Sequence, residues 1–160
     1  MEHPVEIIRS DRRRRTVQAA VVDGTIEVRV PAGLDPDEEQ RLVDRMVGKI
    51  RRKLTAGDVD LPRRASELAH RFDLPTPEAI EWSDRQNMRW GSCTPGNGTI
   101  RISNRLASVP DFVLDYVIVH ELAHLIAPDH GPVFARLMRR YPDAERARGY
   151  LQALTAHGLA

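Results

Sequence analysis

The spacing of apolar residues changes period along the chain, and each change marks an element. From Val5 to Val30 the pattern is β-like, rich in β-branched residues. Val17 to Val22 and Thr25 to Val30 flank Asp23-Gly24, a dipeptide suited to the tight turn of a hairpin. Pro31-Ala32-Gly33 ends this region. Asp35 to Leu54 then reads as an amphipathic helix, with Leu42, Met46, Val47, Ile50 and Leu54 on or near one stripe. Thr55 to Asp60 reads as a linker and Pro62 to Phe72 as a second helix. Pro75-Thr76-Pro77 breaks the chain again. Ala79 to Ser83 and Thr99 to Ser103 follow as short strands, the second returning from a turn-forming loop, Thr94 to Gly98.

Between Phe112 and Ile126 the period disappears, because the segment is apolar almost all round. That is the pattern of a buried helix. Ser108 and Asp111 offer a capping pattern for its start, and Pro110 suits the first turn. Pro128 requires it to end near Ala127, since a residue before proline is pushed out of the α region. Pro132 to Tyr141 and Asp143 to Leu154 read as two further helices, the last covering the buried one. The expected class is α+β: a small antiparallel sheet with an N-terminal hairpin, and a helical C-terminal half.

The polar exceptions within the apolar helix carry the chemistry. His120, Glu121 and His124 form the pattern H-E-x-x-H. Residues four apart share one helix face, so His120 and His124 can offer two imidazole nitrogens to one tetrahedral Zn²⁺. Glu121, one position round, can reach a zinc-bound water without ligating the metal and act as general base. A lone histidine on an apolar helix is more often a satisfied core residue than a ligand. Two histidines and a carboxylate are costly to bury without a function. A catalytic zinc needs a third protein ligand and an open position. His130, just past the Pro128 break, is the preferred candidate, and Glu145 on the last helix is its rival. The spacing matches the metzincin pattern, but its glycine position is Ala127 here and no separate Met-turn signature follows.

A wider set of residues resembles a known family. Arg89-Trp90-Gly91-Ser92-Cys93, Ile100 to Leu106, Asp115 to His124, and His130-Gly131-Pro132-Val133-Phe134 resemble the YgjP-like metallopeptidase domain, a relative of the SprT-like zinc proteases. The likeness is strong from Arg89 to Leu151, and Arg9 to Val30 resembles the family's arginine-rich opening hairpin. It implies a zincin-like fold, His120, His124 and His130 as zinc ligands, Glu121 as catalytic base, and a peptide or protein substrate. It also makes the hairpin ending in Thr99 to Ser103 the candidate strand for pairing with extended substrate. Ser103-Asn104 departs from the family, whose members often have asparagine followed by an aromatic residue there.

Composition narrows the alternatives. With 160 residues the chain is expected to form one domain, residues 1–160, of which 1–60 form the hairpin and first helix and 61–160 the metal-binding catalytic part. The net charge of +1 supplies no global field for nucleic acid. Lys49, Arg51, Arg52 and Lys53 end a helix that begins with Asp37, Glu38 and Glu39, an order explained by the helix dipole. Arg12 to Arg15 reads first as charge guarding an edge strand, with an anion contact as the alternative. No signal core or membrane-length apolar run is visible, so a cytoplasmic location without membrane contact is expected. The single cysteine, Cys93, excludes an internal disulfide framework and reads as a small buried residue rather than a reactive thiol or extra ligand. His70 and His157 have no partners at ligand spacing. Two other functions stay open: a zinc-dependent hydrolase of nucleotide phosphoanhydrides, with Arg89, Arg101 or the Arg12 to Arg15 run on the phosphates, and a non-catalytic zinc module.

Overall fold

The computed structural model describes residues 2–158, which divide into two compact units, one reaching Leu54 and one starting at Thr55. The first contains strands β1 (Val5–Ser10), β2 (Gln18–Val22) and β3 (Thr25–Pro31), followed by helix α1 (Pro36–Gly57). β2 and β3 form the expected hairpin. Its turn residues Asp23 and Gly24 have φ of 48° and 80°, the left-handed pair that a two-residue hairpin turn needs. Ile26, Val28 and Val30 alternate inward and pack with Val43 and Val47 of α1. Arg9 adds a bidentate bond to Glu39 at the start of α1, at 2.9 and 2.6 Å.

Three expectations change here. β1 runs parallel to β3, so the sheet order is β1-β3-β2. Arg12 to Arg15 lie in the loop joining β1 to β2, not on an edge strand, and Arg13 donates to Thr16 and Gln18. The run therefore guards no strand edge. α1 also continues to Gly57, through the first residues of the expected linker.

The second unit holds α2 (Leu61–Arg71), β4 (Ala79–Ser83), β5 (Gly91–Thr94), β6 (Thr99–Ser103), a 3₁₀ turn at Asn104–Ser108, α3 (Asp111–His124), α4 (Pro132–Met138) and α5 (Ala144–Ala156). The strands form a separate mixed sheet ordered β4-β6-β5, with β4 parallel and β5 antiparallel to β6. The β part is thus two mixed three-stranded sheets rather than one antiparallel sheet, within the expected α+β class. Period-2 patterning identifies a strand but not its neighbour.

α3 is the centre of this unit. Val113, Leu114, Tyr116, Val117, Ile118, Val119, Leu122 and Ala123 are all buried, which is why its sequence shows no polar stripe. Ile100 and Ile102 of β6 and Leu61, Ala65 and Leu68 of α2 belong to the same core. Arg64 of α2 pairs with both Asp111 and Asp115 on α3. The expected Ser108–Asp111 cap does not form: Pro110 is the capping residue, no side chain caps the end, and Ser108 closes the 3₁₀ turn. Asp111 engages Arg64 instead. Tyr141 donates its hydroxyl to the Phe112 carbonyl at 2.7 Å, fastening the chain after α4 to the start of α3. Among the described residues no helix is long and apolar enough to cross a membrane.

Candidate metal centre and its cleft

His120 and His124 lie on the last turn of α3, four residues apart as their spacing requires. The helix stops at His124, slightly before the expected Ala127, and its chain tightens through bonds from Ile126 and Ala127 to the Ala123 carbonyl. The turn swings His130 back over the helix end. Asp129 steadies it by accepting from the Gly131 backbone N–H at 3.2 Å.

The three imidazoles converge. Nε2 of His120 lies 3.3 Å from Nε2 of His124 and 3.2 Å from Nε2 of His130. Two nitrogens bound at about 2.0–2.1 Å to a tetrahedral ion stand about 3.3 Å apart, as these two pairs do, and all three donor atoms lie within 4.8 Å of one another, so the set suits Zn²⁺. The tautomer fits as well. Nδ1 of His124 lies 2.9 Å from the Ala127 carbonyl, to which it must donate, leaving Nε2 with a free lone pair. Burial, then the charges of His124 and His130, then that of Arg148, hold His120 down to about 4. It is therefore neutral, the form a ligand requires. Glu145, the rival ligand, is not in the group: its exposed carboxylate bonds to Arg148 at 2.7 Å.

One ring organises all three ligand candidates. The Phe134 centroid lies 4.8 Å from that of His120, 4.6 Å from His124 and 4.8 Å from His130, and it stacks on His124 at 25°. Phe134 sits on α4 and is buried. Its closeness to His130, in the H-G-x-x-F run, was the available sequence signal.

Glu121 points the other way, toward β5. It is only 5% exposed, and burial raises its carboxyl to about 7, against a smaller downward pull from Arg89. A carboxylate near that value can take a proton at neutral pH and return it. β5 reaches it because residue 91 is glycine: a β-carbon there would lie 2.8 Å from Glu121 Oε1. Gly91 is a site residue that sequence reasoning passed over, although a glycine inside a strand often marks close approach of another group. Cys93, two residues along β5, is half-buried. Burial, with Glu121 second, raises its thiol to about 11.

The site opens into a cleft of about 910 Å³. Besides α3, it is lined by the segment from Arg89 to Cys93, with Pro95, and by α5 through Arg148, Leu151 and Gln152. Among the described residues β5 is an edge strand paired only to β6, a position from which its other edge can take an added strand. Arg101 instead pairs with Glu81 on the exposed side of the sheet, and it does not line the cleft. His70 lies on α2 and His157 caps α5, and neither joins the group.

Residues 56–154 match the family model described as YgjP-like, metallopeptidase domain. Two solved structures share the fold. The metallopeptidase zymogen abylysin of Pyrococcus abyssi has a TM-score of 0.51 and 21% identity, covering 59% of this chain and 91% of its own. The metallopeptidase zymogen jannalysin of Methanocaldococcus jannaschii has a TM-score of 0.51 and 19% identity, covering 64% of this chain and 99% of its own. A search of curated proteins finds no match.

Proposed function

Because the chain belongs to the YgjP-like metallopeptidase family, we propose that it is a zinc-dependent peptidase in which His120, His124 and His130 hold the metal and Glu121 is the general base. The observation that carries this reading is the near-tetrahedral spacing of the imidazole nitrogens beside a buried carboxyl of raised pKa. Zinc, when bound, supplies Lewis acidity that polarises a scissile carbonyl and makes water acidic near neutral pH.

The chain's own groups account for the remaining steps. The outer edge of β5 holds an extended peptide by backbone hydrogen bonds. Glu121 takes a proton from the attacking water and delivers it to the leaving amine. The apolar wall around Val117 and Leu151 limits competing water. Phe134 and the Ala127 carbonyl keep the imidazoles from rotating.

One observation favours a second reading. Arg89 and Arg148 both line the cleft, as the hydrolysis of a nucleotide phosphoanhydride would require. A non-catalytic zinc module is disfavoured, because structural sites are usually closed by four ligands and the group here offers three.

The test compares zinc-loaded wild type with Glu121→Gln on unfolded protein, short peptides and nucleoside triphosphates. The expected result is peptide cleavage that falls by about 10²–10⁴-fold in Glu121→Gln, with zinc retained. Chelation should abolish it. Glu121-dependent release of pyrophosphate without peptide cleavage would select the nucleotide reading.

A further inference from the structure

Fixed cations outnumber carboxylates in the cleft. Of the residues lining it, Arg89 and Arg148 are cations and Glu121 is the only carboxylate. The two arginines come from different elements, Arg89 next to β5 and Arg148 on α5.

Both are held in place. Arg105 donates to the Arg89 carbonyl at 2.9 Å and lies over the Trp90 ring at 4.2 Å. Ser103 N–H donates to the Trp90 carbonyl at 2.9 Å. The backbone that presents Arg89 is therefore clamped from two directions. Arg148 is braced by side-chain hydrogen bonds to Tyr116 and, through Nη1, to Glu145. A guanidinium carries five N–H donors, so this brace leaves others for a ligand. The Glu145 carboxylate is 86% exposed, and an ion pair in that setting neutralises its partner only weakly.

Resting on the peptidase reading, we propose that the cleft selects acidic peptides, with substrate carboxylates on either side of the scissile bond engaged by Arg89 and Arg148. A peptide added along β5 passes Arg89, and Arg148 of α5 lines the same cleft. Guanidinium to carboxylate is a strong, directional pairing, and a cleft wall strengthens it by excluding water. The bound metal adds to the attraction, but it does so equally in every variant that retains it.

The test uses zinc-loaded Glu121→Gln, which binds without turnover, and a matched pair of labelled peptides. One carries glutamates flanking the centre and the other glutamines. Fluorescence anisotropy should show the glutamate peptide binding about tenfold more tightly, a difference that shrinks at higher salt. The preference should vanish in Arg89→Gln/Arg148→Gln and return in part in Arg89→Lys/Arg148→Lys, with zinc content unchanged throughout. Equal affinities for the two peptides, or a preference that survives loss of both arginines, would overturn the proposal. Cleavage by the active protein separates this failure from that of the peptidase reading. If both peptides are cleaved alike, only the acidic preference is wrong. If neither is cleaved while nucleoside triphosphates are hydrolysed, the peptidase reading falls and the acidic-peptide proposal with it.

Discussion

Gly91 and Glu121 are in closer contact than any other residue at position 91 would permit. A β-carbon there would sit 2.8 Å from Oε1 and 2.9 Å from Cγ of Glu121. Real carbons do not approach that closely, so the side chain would have to move. The Glu121 carboxyl is buried, and a shift would carry it away from its place beside the histidines. Gly91→Ala should therefore lower turnover by about tenfold or more while leaving zinc content at the wild-type level. Metal analysis and steady-state peptide cleavage on one preparation test it, and unchanged turnover would show that Glu121 is not held by β5.

The ligand assignment separates two residues. His130 brings Nε2 to 3.2 Å from that of His120, whereas Glu145 is engaged with Arg148. His130→Ala should weaken zinc binding by at least about a hundredfold, and Glu145→Ala should change it less than about threefold. Competition with a zinc-binding dye measures both, and the reverse ranking would move the third ligand to α5.

Phe134 touches all three imidazoles. Phe134→Leu keeps most of the buried volume but removes the flat surface against which His124 stacks. Zinc affinity should fall by about tenfold, with a stability loss of about 1–1.5 kcal/mol. Dye competition and urea unfolding report the two effects separately. An unaltered zinc affinity would reduce Phe134 to a packing residue.

The Cys93 thiol, raised to about 11 by burial and by Glu121, stays protonated at neutral pH. Only the thiolate is nucleophilic, so alkylation of the folded protein by iodoacetamide should be slow at pH 7 and accelerate as pH climbs toward 11. Mass spectrometry of timed samples follows it. Rapid labelling at pH 7 would mean that the thiol is neither shielded nor opposed by a negative charge.

Local interactions made much of this molecule readable in advance. Asp23-Gly24 determined a hairpin because two consecutive left-handed residues suit that pair. The unbroken apolar run of α3 determined a buried helix, since only a helix enclosed on all sides lacks a polar face. Helical spacing then put His120 and His124 together, because four residues make about one turn. Pairings between distant segments had no such local signal. The parallel placement of β1 on β3 and of β4 on β6 depends on how faces pack, and period-2 alternation is the same for either neighbour. The Ser108 cap does not form because Ser108 ends a 3₁₀ turn and Pro110 takes the capping position, while Asp111 pairs with Arg64, 47 residues earlier. Gly91 against Glu121, Phe134 beneath the histidines, and Arg89 and Arg148 lining one cleft arise only when segments far apart in sequence meet, and contact, burial and charge act through space.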